Sequence, residues 1–120
     1  MSIESDFRAL LAGNAGVTAL VSTRIAQDAV PEGSTYPLVV FAVRHDRTLG
    51  LDNTLLADQA AIAVQCWAET GVIAASVADA VIAAVATAPA AAGAVVLDRA
   101  STFDPDTGLD GVALTVEWWA

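Results

Sequence analysis

Fourteen carboxylates, one histidine, one cysteine and six serines are what this 120-residue chain offers to chemistry, and it has no lysine. Three of the acids, Asp104, Asp106 and Asp110, crowd into FDPDTGLDG, residues 103–111. That density raises the question of a calcium loop. An EF-hand takes oxygen ligands from its first, third and fifth positions, a glycine at the sixth and a bidentate glutamate at the twelfth. Counted from Asp104, the fifth position is Gly108, the sixth Leu109 and the twelfth Thr115, so the pattern fails in three places. Starting at Asp106 or Asp110 does not repair it. The same residues make a good turn: Pro105 fixes φ at the first corner, Asp104 and Asp106 accept hydrogen bonds from nearby amides, and Gly108 takes a positive φ.

His45 and Cys66 stand alone in their types, which excludes the usual zinc sites unless subunits share one. Asp46 points to the opposite face of a strand from His45, so a catalytic dyad would need an acid from elsewhere. We expect His45 to be an exposed or interface residue at a strand end. Cys66, beside Trp67 in an apolar run, reads as a small buried residue. The chain lacks a G-x-S-x-G elbow, a G-x-x-x-x-G-K-[ST] phosphate loop and a G-x-G-x-x-G fingerprint. An enzyme is therefore not expected, and no cofactor or metal is implied. A small ligand-binding or hydrolytic domain is the rival from another class; it would need a pocket that gathers His45 with distant acids.

Composition narrows the partners. The net charge is −9, the isoelectric point is near 4.1, and all five basic residues are arginines, at 8, 24, 44, 47 and 99. Such a chain has no basic stripe to neutralise a phosphate backbone, and its acidic surface repels DNA. One cysteine allows no intrachain disulfide, which suits a reducing cytoplasm. Glu4 and Asp6 stand where a secretory signal needs positive charge, and the longest apolar stretch, 71–89, is interrupted by Ser76, Asp79 and Thr87. A soluble intracellular product with no membrane partner is expected. Length points to a single domain over 1–120. Its core must be built from small side chains, since 27 residues are alanine.

The elements follow from periodicity. Ile3, Phe7, Leu10 and Leu11 share a helical face, Gly13 and Gly16 stop or kink that helix, and Val17 to Val21 suggest one further turn. A short extended piece at 24–26 and a loop at 29–37, closed by Pro31 and Pro37, lead to a strand over 38–47 that is apolar at first and polar at Arg44, His45, Asp46 and Arg47. The polar end is expected to project into solvent or toward a partner. Residues 50–58 connect to a second strand, 58–68, in a long hairpin. From Thr70 to Ala88 the period turns helical, with Thr70 as cap and Pro89 as stop. Strands at 94–100 and 111–120 flank the acidic turn. We expect an α+β domain: a largely antiparallel sheet of about four to five strands, one long helix packed on a face, and the N-terminal helix beside it.

Some apolar surface then lacks a place to hide. Trp118 and Trp119 are strand neighbours and face opposite ways, so only one joins the core. Leu51, Leu55 and Leu56 are more apolar than a solvated hairpin tip needs. Anchors of this kind in charged surroundings are what protein interfaces use; the alternative is that both sheet faces are simply covered. Leu51, Leu55, Leu56, Arg44, Arg47 and Trp119 are the expected interface residues.

The order of ALVSTRI (residues 19–25), the P-x-G-x-x-x-P loop at Pro31, Gly33 and Pro37, the V-Q-C-W-A strand before the helix, and D-P-D-T-G-L before the final strand resembles the tail-completion, or tail-terminator, proteins of long-tailed bacteriophages. The resemblance runs over nearly the whole chain. It implies a small α+β subunit that assembles into a hexameric ring, caps the tail tube at its head-proximal end and meets the head-completion (connector) protein. DNA would only pass through its channel. Related tail-like particles, gene transfer agents among them, use similar proteins. The chain stops at Trp119-Ala120, so no longer C-terminal interface segment is expected. A neck or head-completion ring is the rival within virion proteins.

Overall fold

The structure, a computed structural model, describes residues 3–49, 55–89 and 92–119, with backbone alone for 46–49 and 55–58. The chain opens with helix α1 (Ile3–Ala12), whose Ile3, Phe7 and Leu11 are buried at i, i+4 and i+8 while Leu10 is half-buried. A second helix, α2 (Ala15–Val21), stands in place of the single extra turn expected. Asn14 explains it: its side chain accepts from the Val17 amide at 3.1 Å, satisfying one of the donors that a helix start leaves unpaired.

Beyond α2 the chain forms five strands, β1 (Ile25–Gln27), β2 (Leu38–Leu49), β3 (Leu55–Ala68), β4 (Val95–Asp104) and β5 (Leu109–Trp119), with helix α3 (Gly71–Val85) between β3 and β4. The strands make one sheet in the order β1-β2-β3-β5-β4. Three of its pairings are antiparallel, but β1 runs parallel to β2, so the sheet is mixed. A parallel neighbour normally demands a long crossover. Here β1 is only three residues long, so the loop over 28–37 has little distance to recover, and Arg24 ties it down by donating from Nε to the Pro37 carbonyl at 2.8 Å.

The helix between the hairpins is also shorter than its apolar period suggests. Thr70 caps it, its hydroxyl accepting from the Ile73 amide at 3.3 Å. At the other end the Thr87 and Ala88 amides bond to the carbonyls of Ala84 and Val85, three residues back, and the Thr87 hydroxyl donates to Ala84 at 2.6 Å. The last turn tightens and the α-helix stops at Val85 before Pro89 is reached. Three helices therefore stand where one long helix and an N-terminal one are expected.

All three lie on the side of the sheet where the core is. Ala60, Ile62, Val64, Cys66 and Ala68 of β3 and Val112, Leu114, Val116 and Trp118 of β5 are buried there against Ala74, Val77, Ala78, Val81, Ala84 and Val85 of α3. Alanines on both surfaces let helix and sheet come close. Phe7 of α1 joins this layer to β2 and β5, edge-on to Phe41 at 5.2 Å between ring centroids and to Trp118 at 5.8 Å. On the reverse face the alternate residues Ala63, Gln65 and Trp119 are exposed, and Ala61, Trp67, Ala113, Thr115 and Glu117 are half-buried. Trp67 lies there over Gly111, where a Cβ would come within 2.8 Å of the ring.

The β2–β3 ladder outruns the rest of the sheet. The last β3–β5 pair is Gln59 with Trp119, whereas β2 and β3 go on pairing through Arg47–Asp58 and Thr48–Ala57 to Leu49–Leu55. A two-stranded arm thus extends past the five-stranded body, in a molecule measuring 51 × 29 × 24 Å. The connection expected over 50–58 is shorter, because β3 begins at Leu55.

Candidate assembly interface

The acidic segment folds as a turn. Asp104 ends β4 and its carboxylate accepts from the Asp106 amide at 3.0 Å, while the Gly108 amide donates back to the Asp104 carbonyl at 2.8 Å. Gly108 has φ +72°, the left-handed conformation that an L side chain resists. The four residues 105–108 close the β4–β5 hairpin, and Thr107 rather than Asp106 supplies the second side-chain acceptor, to the Leu109 amide at 3.4 Å. Among the described residues, no three His, Cys, Asp or Glu side chains are grouped closely enough to hold a metal ion.

His45 has a partner that local sequence did not disclose. Its Nε2 lies 2.6 Å from Oε1 of Glu4 on α1, with both side chains about a third exposed or less. The pair is 41 positions apart and exists because α1 crosses the sheet beside β2. Cys66 is fully buried, and that burial pushes its thiol up to about 12, with the Arg99 guanidinium pulling the other way. A thiol so protonated is no nucleophile.

The expected interface residues separate into an arm and a body. Arg44 is exposed on β2 opposite Ala61; Arg47 sits further along, opposite Asp58; and Leu55 and Leu56 start β3 in the arm. Leu51 lies outside the described residues. Trp119 belongs to the body: it is 37% exposed, donates from Nε1 to Glu117 Oε1 at 3.0 Å, and leans on Gly93, where a Cβ would sit 2.9 Å from its ring. The register nevertheless puts Trp119 at the base of the arm, since Asp46, Gln59 and Trp119 form one row across β2, β3 and β5.

Two features were hidden from sequence reading. Trp119 and Trp118 border a cleft of about 550 Å³ with Asp6, Ala9 and Leu10 of α1 and Pro89 and Ala92 after α3, a convergence of three distant segments. A second, of about 340 Å³, lies between β1 and the loop carrying Pro31, Gly33, Ser34 and Thr35. The other hidden feature is the apolar content of β4, where Val95, Leu97 and Phe103 are all more than half exposed. A strand over 94–100 was readable in the sequence, but its position at the sheet margin was not.

The fold is a small helix-backed mixed sheet with one open face, an overhanging two-stranded arm and an exposed tryptophan and leucine, Trp119 and Leu97. The chain belongs to the family described as Tail completion protein gp17, whose model matches residues 5–120. Membership makes it a structural protein of the tail, located in the virion. No curated protein matches the chain. Among solved structures, a chain in the virion of a native gene transfer agent (GTA) particle is similar in fold, with a TM-score of 0.75 at 17% identity, covering 98% of this chain and 93% of that one.

Proposed function

We propose that the protein assembles into a closed ring, a hexamer, that caps the tail tube at its head-proximal end, ends tail polymerisation and offers the surface on which the head-completion (connector) protein docks. The observation that carries this reading is the family match across residues 5–120. The arm supports it independently. A two-stranded hairpin is marginal alone in water, so a pair of strands that leaves the body is best explained by a neighbouring subunit that receives it. Arg44, Arg47, Leu51, Leu55, Leu56 and Trp119 are the contact residues in this proposal. DNA meets the ring only in passage, and a chain of charge −9 would keep it from sticking to the channel wall. No described helix is long and apolar enough to cross a membrane.

The test is tail-tube polymerisation with and without the purified protein. Added protein should arrest growth and appear at one tube end as a ring with a central hole in electron micrographs. Unchanged tube lengths, with binding to the portal instead, would move the protein to the neck.

A further inference from the structure

At the end of the sheet away from the arm, α3 and the outermost strand leave apolar surface uncovered. Val72, Ser76 and Asp79 follow one side of α3 at i, i+4 and i+7. Asp79 accepts from Arg99 of β4 at 2.6 Å, so that side of the helix looks toward the sheet margin. Arg99, Ser101 and Phe103 alternate along β4 opposite Leu114, Val112 and Asp110, which places all three on the helix-bearing face. Asp110 joins the two elements. Phe103 is its cross-strand partner, and a Cβ on Gly71, at the start of α3, would lie 3.9 Å from its Oδ2. Val72 and Phe103, 79% and 57% exposed, therefore flank one carboxylate.

The surroundings are acidic. Glu69 is exposed immediately before the Thr70 cap, Asp106 is exposed in the β4–β5 turn, and Asp104 and Asp110 are half-buried beside them. Asp104 is already used by the turn, where it accepts from the Asp106 amide. Among the described residues no arginine pairs with Glu69, Asp106 or Asp110. Arg99, the nearest cation along β4, is held by Asp79. The other four arginines stand on α1, next to β1 and on β2, toward the opposite margin of the sheet.

Apolar side chains set among carboxylates suit a partner of opposite charge. A second copy does not supply one. Its net charge is −9, its Arg8 and Arg24 bond to its own Ile25 and Pro37 carbonyls, and its Arg44 is engaged within the subunit. Arg47 stands next to Asp46 and across the ladder from Asp58. Nucleic acid is repelled by the same carboxylates. The chain belongs to a tail-completion family, so the partner within reach is the tail tube. We propose that Val72 and Phe103, set among Glu69, Asp106 and Asp110, dock on the end of the tail tube, against a face of the tube protein that presents lysine or arginine around an apolar side chain. This rests on the capping reading and names the surface that does the capping.

Co-sedimentation of the intact protein with tubes polymerised from purified tube protein tests the contact. Binding should weaken about tenfold or more between about 50 and about 300 mM salt. Val72→Ser should weaken it about tenfold, and so should the double variant Glu69→Gln/Asp106→Asn, which leaves the turn carboxylate of Asp104 in place. Both variants should melt close to the parent, because the changed side chains are exposed and make no described bond. Parent and variants holding the tube equally well overturns the surface and leaves the capping reading standing. Variants that keep the tube but lose the connector protein, or lose ring mass in native mass spectrometry, overturn it in favour of those occupants. A parent that never binds tubes removes the capping reading as well.

Discussion

At the scale of single residues, the one thiol and the one imidazole are both held by contacts that tertiary folding creates. Cys66, the one thiol, is enclosed between β3 and the helices, and His45, the one imidazole, is engaged by Glu4. The cysteine has a consequence for pH. Its folded value of about 12 stands above its ordinary value of 9.0, so between those limits the unfolded chain holds fewer protons than the folded one. Stability therefore falls as pH rises through that window and is unaffected below it. Thermal melts at pH 8 and pH 10 should show the loss in the parent and a smaller loss in Cys66→Ala. At pH 8 a disulfide reagent should leave the native thiol unlabelled and modify it fully in urea. Rapid labelling of the native protein would contradict the buried placement.

At the scale of elements, short side chains set where helices begin and end. Gly13 reads from sequence as a stop, and α1 does stop there; what a helical wheel did not reveal is that Asn14 restarts the chain as α2. Asn14→Ala should cost about 1 kcal/mol, measured by urea denaturation, with the slope of unfolding unchanged. A loss near zero would mean that the burial of Val17 and Val21 alone sustains α2. The alternation of β5 was legible residue by residue, since Val112, Leu114, Val116 and Trp118 are all buried and Trp119 is not. The direction of β1 was not legible, because parallel pairing depends on which end of β2 the loop over 28–37 returns to. The start of β3 was missed for a related reason, while its end at Ala68 was as expected. Leu55 and Leu56 look like tip residues when only hydropathy is considered, yet the ladder reaches them because β2 continues to Leu49.

At the scale of the whole molecule, the open face and the arm make sense in an assembly. Trp119 stands at the base of the arm with its indole N–H already satisfied by Glu117, so it offers a ring surface without an unmet polar group. Trp119→Ala should therefore lower ring stability by about 2 kcal/mol, as a buried aromatic anchor would, while shifting the melting temperature of the monomer little. Unchanged ring mass together with a lowered melting temperature would make Trp119 part of the fold instead.

Local order was determined by the sequence by itself: the amphipathic period of α1, the two-residue period of β5, the helix cap at Thr70, the hairpin turn at Gly108, and the poverty of catalytic motifs. These are properties of neighbours along the chain, which sterics and hydropathy dictate without reference to distant segments. Only the tertiary structure decided which strand lies at each margin, that Glu4 meets His45, that Leu10 and Trp119 share a cleft, and that β2 and β3 outrun β5. Those facts depend on register and topology, in which residues far apart are brought together by the burial of one common core. The acids of FDPDTGLDG show both halves: the turn was readable in their spacing, whereas the exposed margin that ends at Asp104 emerged only when β4 took the outermost place in the sheet.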